Sequence, residues 1–191
     1  MRVNLDGDTL TVDLTEPPKT SRHCGACTLC CRLLPMPKLA KPANTRCQHQ
    51  RHAKGCAIYA KRPAECRDWS CRWLAEPAET AMLRRPDHAH YVVDLLPDRI
   101  RAVDKASGKE TVWACVQVWM DPLHPEARHD PNLLAYIAHM AEPPRRMLTM
   151  LRFGSAKAVI IGAPSLTPSG EFEEATDTTL LPRTGLWGVP Q

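Results

Sequence analysis

Eight of the nine cysteines in this chain lie between Cys24 and Cys71, and four of them fall within the first eight residues of that stretch. Free thiols in globular proteins are usually few and scattered, so a cluster of this density needs a cause. Either disulfides or metal ions must organise it, and this choice constrains both the fold and the function of the segment. The eight are Cys24, Cys27, Cys30, Cys31, Cys47, Cys56, Cys66 and Cys71.

The beginning of the sequence favours metal ions over disulfides. Residues 1–8 lack the basic start and the apolar stretch of a signal peptide. We therefore expect a cytoplasmic protein, in which thiols are kept reduced. An odd total of nine cysteines also rules out complete internal pairing. The sequence has no apolar run of about 18 residues, so we expect no membrane partner.

The cysteine-rich segment is strongly basic. Residues 19–73 carry twelve Lys or Arg and two acids, a net charge of +10, whereas the rest of the chain carries −6. Such a surface is typical of nucleic-acid binding. Thiolate metal sites offer another explanation, because four thiolates leave a charge of about −2 around one Zn²⁺ or one cubane, and nearby cations stabilise thiolates. This second explanation disfavours a nucleic-acid partner without excluding one.

The patterning predicts an α+β protein. We expect an irregular, metal-organised cysteine module packed on a small, mostly antiparallel sheet with one or two helices. The predicted parts are an N-terminal β-hairpin and linker (1–20), the cysteine module (21–75), an α+β portion (76–164) and an extended or mobile tail (165–191).

Local patterns predict the individual elements. Alternation across 2–14 indicates a hairpin that turns at Asp6-Gly7-Asp8. The apolar run Thr111–Met120 indicates a central buried strand, and Asp130 followed by Pro131 indicates a capped helix. The remaining predictions are a loop from Cys24 to Cys47, one helical turn at Ala57–Lys61, a short helix at Ala64–Asp68, strands at Tyr91–Leu96, Arg99–Val103 and Ala156–Ile161, and a second helix at Pro144–Phe153.

The spacing of the first cysteines suggests a type of metal site. Zinc sites normally use two separate pairs of cysteines with two intervening residues. Here the pairs Cys24/Cys27 and Cys27/Cys30 overlap, which is a frequent way to begin a [4Fe–4S] site with a distant fourth ligand. Eight thiols divide naturally into two sites of four. The spacing favours an iron–sulfur cluster, with zinc as the alternative.

The same residues resemble a known family, the YkgJ-type cysteine-cluster family, which is described as zinc- or iron-chelating. The resemblance covers about residues 21–75 and is carried by the Cys-x₂-Cys-x₂-Cys-Cys run, Gly55–Tyr59 and the Arg-Pro-x₂-Cys-Arg block that starts at Arg62. Related clusters occur in flagellin lysine N-methylases. The resemblance implies a metal-ligand role for Cys24, Cys27, Cys30, Cys31, Cys47, Cys56, Cys66 and Cys71.

Other reactive residues carry weaker signals. Among the arginines near the last two ligands, Arg67 is the one we expect to support the site. Tyr59 and Trp69 are expected to pack the module, and Cys115 is expected in the core. The histidines near the ligands (His23, His49, His52) are disfavoured as ligands. His88 and His90 before a strand, and the proline-bearing loop Asp121–Glu126, do not define a site.

The sequence thus predicts a cytoplasmic metal-binding protein that holds one or two iron–sulfur clusters in a redox, sensing or accessory role, with a redox or client protein as a further partner. Two alternatives stay open: a zinc-organised module that binds nucleic acid or an acidic partner, and a cluster-bearing enzyme such as a methyl-transferring one. No catalytic residue can be assigned from the sequence.

Overall fold

Short helices and strands alternate irregularly along the chain. The computed structural model describes residues 2–6, 9–13, 21–94, 98–103, 110–153, 158–161 and 178–180. The strands are β1 (Arg2–Asp6), β2 (Thr9–Asp13), β3 (Gln50–Arg51), β4 (Gly55–Cys56), β5 (Tyr91–Val93), β6 (Asp98–Val103), β7 (Glu110–Met120), β8 (Leu148–Arg152), β9 (Ala158–Ile161) and β10 (Thr178–Leu180). The α-helices are α1 (Leu29–Leu33), α2 (Ala64–Asp68), α3 (Arg72–Ala75), α4 (Pro86–Ala89) and α5 (Pro131–Ala141). The α+β class predicted from the sequence is confirmed.

The central element is β7, as its apolar run predicts. It pairs antiparallel with β6 along its first half and with β5 along its last three residues, and it pairs parallel with β8 on its other side. The six-stranded sheet has the order β10-β6-β7-β8-β9, and β5 joins it through β7. From Cys115 to Met120, side chains on both faces of β7 are buried because both faces are covered there, whereas Val112 near the start of the strand is exposed.

The two faces of β5 and β7 pack against different parts of the chain. On one face, α5 covers an apolar cluster that includes Tyr91, Val93, Val116, Val118 and Met120. On the other face, Val92 and Trp119 pack with Leu29, Leu33, Leu34 and Cys71 of the cysteine-rich segment. The sheet therefore lies between α5 and the cysteine-rich segment, and successive residues of one strand serve both layers.

The helix α5 forms where its capping residues predict. The side chain of Asp130 accepts a hydrogen bond from the backbone N–H of Asn132 at 3.0 Å, and Pro131 occupies the first helical position. On this helix Leu134 is 41% exposed, whereas Tyr136 is fully buried and its hydroxyl accepts a hydrogen bond from the guanidinium of Arg72 at 3.1 Å.

Several predicted elements are also present. The strands β1 and β2 pair as a hairpin, with Val3 opposite Val12, and α2 has the predicted bounds. A 3-10 turn covers Tyr59–Lys61, and β9 covers the last four residues of a predicted strand. None of the helices in the described part of the chain is long and apolar enough to cross a lipid bilayer.

Two predictions require correction. The predicted helix across Pro144–Phe153 is wrong, because Leu148–Arg152 is β8 and pairs with β7. The prediction failed because a short apolar run in the sequence does not distinguish a buried strand from a buried helix. The predicted loop from Cys24 to Cys47 contains α1 and a 3-10 turn at Pro37–Leu39. Thr178–Leu180, inside the tail predicted to be extended or mobile, forms β10 against β6; the rest of the tail lies outside the described residues, so its character stays a prediction. The predicted domain boundaries stay predictions.

Candidate functional site

All eight cysteines of the segment line one cavity of about 930 Å³, which is the candidate functional site and is called the cysteine cavity below. Every one of them is a free thiol. The ninth, Cys115, is fully buried on β7 among Leu148 and Met150, so its predicted place in the core is confirmed. The structure thus separates the thiols of the cavity from the single thiol of the core.

The first four thiols are placed by a turn and a short helix. The backbone N–H of Cys27 donates to the carbonyl of Cys24 at 2.8 Å, which closes the turn that carries both. Helix α1 then carries Cys30 and Cys31 as consecutive residues. Because consecutive helical side chains point about 100° apart, these two thiols serve different parts of the cavity.

Backbone hydrogen bonds place the next two thiols beside Cys31. The N–H of Cys47 donates to the carbonyl of Cys31 at 3.0 Å, and the N–H of Gln50 donates to the carbonyl of Cys47 at 3.0 Å. Gln50 lies opposite Cys56 in the β3–β4 pair. These links hold Cys47 and Cys56 on the Cys31 side of the cavity.

The last two thiols come from the segment that joins the cavity to the sheet. Cys66 lies on α2, which starts after Pro63. Cys71 precedes α3 and forms an isolated β-bridge with Asp94 just after β5. The indole N–H of Trp69 donates to the carboxylate of Asp94 at 3.1 Å, which fixes this junction.

An apolar patch forms part of the cavity wall on the sheet side. Cys27, Cys30 and Cys71 belong to one hydrophobic cluster whose members also include Trp69, Trp73, Val92 and Trp119. A thiolate in such surroundings is poorly solvated, so burial disfavours its charged form. Burial accordingly raises the pKa of Cys27 to about 11 and of Cys71 to about 12. Outside this cluster, burial also raises the pKa of Cys66 to about 11.

One thiol of the cavity is instead favoured as thiolate. A hydrogen bond from the Cys30 thiol lowers the pKa of Cys31 most, and the charges of Lys41 and Arg62 lower it further against the opposing effect of burial. The same hydrogen bond raises the pKa of Cys30. Cys30 is therefore the donor and Cys31 the acceptor of this hydrogen bond.

Lys41 is a buried cation beside these thiols, and sequence analysis did not single it out. It is only 6% exposed, and its ammonium donates to the carbonyls of Arg32, Leu34 and Pro42. Burial lowers the pKa of Lys41, whereas the thiolate charges of Cys47 and Cys31 raise it. A buried ammonium of this kind requires nearby negative charge, which the cavity thiols supply when they ionise.

The three arginines near Cys66 and Cys71 differ in what they contact. Arg62 lies over the ring of Tyr59, 3.8 Å from its centroid, and its charge opposes the burial that raises the pKa of Cys24 and Cys66. Arg67 lines the cavity and donates to the carbonyl of Arg62 at 2.8 Å. Arg72 is buried away from it, against Glu76 and the hydroxyl of Tyr136. Arg62 thus acts on these thiols through its charge, and the supporting role expected of Arg67 stays a prediction.

The histidines also differ in whether they line the cysteine cavity. His49 lines the cysteine cavity. His90 and His124 instead stack on each other with ring centroids 3.7 Å apart, and together with Asp121 they form a second group of potential ligands. Sequence analysis left these three residues in separate, weak features. The sequence positions gave one signal for this group. His90 directly precedes β5 and Asp121 directly follows β7, and because Tyr91 pairs with Met120 in the antiparallel pair of strands, His90 lies next to Asp121.

Comparison of the chain with protein-family models, curated proteins and solved structures found no match.

Proposed function

We propose that the chain is a metal-binding protein that holds one or two iron–sulfur clusters through the thiolates of the cysteine cavity. The observation that carries the proposal is the convergence of Cys24, Cys27, Cys30, Cys31, Cys47, Cys56, Cys66 and Cys71 on one cavity. The same proposal includes three further points: the resemblance of residues 21–75 to the YkgJ-type family, the metal-ligand roles of the eight cysteines, and a cytoplasmic location. A redox, sensing or accessory role, with a redox or client protein as partner, is proposed with it.

The donor set fits a metal-bound group. Buried thiols with raised pKa values ionise when a metal ion replaces their protons, and that exchange couples metal binding to the folding of the segment. Lys41 and Arg62 would offset the negative charge that remains. The indole N–H of Trp119 is a further donor: this residue lines the cavity, is 5% exposed, and its Nε1 has no hydrogen-bond partner among the described residues.

We propose further that the eight thiols form two sets of four. In the first set, Cys27, Cys30 and Cys71 share one apolar cluster. Burial is the largest cause of the raised pKa of Cys71, and the negative charges of Cys24 and Cys27 raise it further. The first proposed site is therefore formed by Cys24, Cys27, Cys30 and Cys71.

The second set lies on the other side of α1. Burial is the largest cause of the raised pKa of Cys66, and the negative charges of Cys31, Cys47 and Cys56 raise it further. The backbone links from Cys31 to Cys47 and from Gln50 to Cys56 join the same residues. The second proposed site is formed by Cys31, Cys47, Cys56 and Cys66, and the hydrogen bond between Cys30 and Cys31 marks the border.

The spacing of the thiols supports iron–sulfur clusters over single zinc ions. Four thiolates on one Zn²⁺ at about 2.3 Å hold their sulfurs about 3.8 Å apart. In the sequence, the pairs Cys24/Cys27 and Cys27/Cys30 overlap, whereas zinc sites normally use two separate pairs. A cubane tolerates wider spacing because each thiolate binds a different iron. Bound in the cavity, such a cluster would supply one-electron chemistry, and its potential would depend on the burial and hydrogen bonding of its sulfurs.

Anaerobic purification tests the proposal. Two cubanes predict brown protein with broad absorption near about 400 nm and about eight iron and eight sulfide per chain. Colourless protein with stoichiometric zinc would overturn the iron–sulfur assignment but would preserve a thiolate metal site. Protein that binds neither metal after reconstitution under reducing conditions would overturn metal binding altogether.

The division into two sites has its own test. Cys71→Ser should remove metal from the first site only, and Cys66→Ser from the second site only, so each variant should retain about half of the wild-type metal. The double variant should retain almost none. Complete loss of metal in either folded single variant would show that the eight thiols act as one centre.

A further inference from the structure

A second group of ligand-type side chains lies outside the cysteine cavity. His90, Asp121 and His124 each offer one ligand atom, and these atoms all lie within 4.8 Å of one another. Asp121 is fully buried, whereas the two histidines are partly exposed. The carboxylate of Asp121 therefore lies at the buried end of the cluster, and the two imidazoles form its solvent-accessible end.

The fold positions the three side chains through backbone contacts. The N–H of Asp121 donates to the carbonyl of His90 at 2.9 Å, which continues the pairing of β5 with β7 by one residue. The N–H of His124 donates to the carbonyl of Asp121 at 2.9 Å, which closes the turn after β7. The cluster is thus built on the end of the central strand rather than on an independent loop.

We propose that His90, Asp121 and His124 bind one divalent first-row transition-metal ion. Two imidazole nitrogens and one carboxylate oxygen are a donor set that Zn²⁺ and Fe²⁺ use in proteins, with the remaining coordination positions open to water or another ligand. This site is separate from the thiolate sites and does not depend on them.

The surroundings of His124 suit a ligand. Its Nδ1 lies 3.0 Å from the carboxylate of Glu126, which accepts the proton of that nitrogen. With Nδ1 as the donor, Nε2 retains the lone pair that a metal ion requires. Carboxylates that accept from the second nitrogen of a ligating histidine orient the ring and make it more basic.

Asp121 retains binding capacity despite its existing partners. One carboxylate oxygen accepts from the N–H of Leu123 at 3.1 Å, and the other forms an ion pair with Arg32. An ionised carboxylate has about four lone-pair sites, so these two contacts leave room for a metal ion. Arg32 adjoins Cys31 on α1, and its guanidinium competes with the ion for Asp121.

The experiment is a calorimetric titration of the full chain, as purified, with Zn²⁺. The wild type should bind one ion that His124→Gln binds more than about tenfold more weakly, because even the loss of a residue that only orients a ligand costs about 10- to 100-fold in affinity. His88→Gln is the matched control, since that side chain is 66% exposed and lies outside the cluster. The control should match the wild type.

The comparison between variants distinguishes zinc bound at this site from zinc bound by the thiols, because thiol-bound zinc contributes equally to the wild type and to every variant. His90→Asn provides a second ligand deletion at a position whose φ of +63° asparagine tolerates. Equal zinc affinity and stoichiometry in wild type, His124→Gln and His90→Asn would overturn the proposal. Weaker binding in both ligand variants, with unchanged iron and sulfide content, would support it.

Discussion

A Cβ atom on Gly55 would lie 2.7 Å from the carbonyl oxygen of Gly25. Both glycines have positive φ, +82° at Gly55 and +53° at Gly25, a region in which residues with a Cβ atom are strained. Gly25 belongs to the turn that carries Cys24 and Cys27, and Gly55 directly precedes Cys56. The close approach of these two backbones therefore holds thiols of both proposed sites on one cavity.

Gly55→Ala should destabilise this arrangement. The added methyl group meets a backbone oxygen that cannot rotate away, so a steric cost of about 1–3 kcal/mol adds to a left-handed backbone cost of about 1–2 kcal/mol. Urea unfolding followed by circular dichroism measures the change. Metal content should fall with stability, because the strand that carries Cys56 must shift.

Gly25→Ala is the matched control. Its Cβ would meet side-chain atoms of His23 and Arg85 at 3.7 and 3.9 Å, which are ordinary contacts. We therefore expect only the backbone cost at Gly25. Equal destabilisation by the two substitutions would mean that the contact between the two loops does not matter.

Cys27→Ser and Cys66→Ser should both lose metal and lower the stability of the cysteine-rich segment, because a serine hydroxyl does not replace a thiolate ligand. Cys115→Ser should leave metal content unchanged, since Cys115 is buried in the core on β7. Iron, sulfide and zinc analysis of the three purified variants measures this. Equal metal loss in Cys115→Ser would contradict the ligand set.

Lys41→Met should weaken metal retention. The substitution keeps the length of a buried side chain but removes the charge that lowers the pKa of Cys31, so the thiolate form becomes less favourable. We expect release to a chelator at about 10- to 100-fold lower chelator concentration. Lys61→Met, at an exposed position of the same segment, should behave as wild type.

The stability contributed by Glu79 should depend on pH. The hydrogen-bonded pair with Arg145, at 3.0 and 3.1 Å, lowers the pKa of Glu79 from 4.5 in the folded protein. A lowered folded-state pKa means that the stabilisation is present above the unfolded-state pKa and is lost as pH falls through the folded-state value. Because Glu79 is partly exposed, the expected effect at neutral pH is about 0.5 kcal/mol.

Urea unfolding of wild type and Glu79→Gln at pH 7 and pH 3 measures this dependence. The variant should be less stable at pH 7, and the difference should shrink at pH 3, which lies below the unfolded-state pKa of a glutamate. A difference that stays constant between these two pH values would show that the charge of Glu79 makes no contribution.

Local patterns in the sequence were sufficient for much of the fold. The cap at Asp130, the apolar run of β7 and the alternation of the N-terminal hairpin each depend on neighbours a few residues apart, and each predicted element is present. The strand β8 was predicted as helix because its identity depends on pairing with β7, which lies about thirty residues earlier. Residues 104–109 and most of the predicted tail lie outside the described part of the chain.

The candidate thiolate ligands can be read from the sequence, since their density and spacing are properties of the chain alone. That these eight thiols face one cavity, that Lys41 is buried beside them and that His90 stacks on His124 became visible in the folded protein. Spacing within a turn follows from covalent geometry over a few residues, whereas burial and contacts between distant side chains follow from strand register and packing across the sheet.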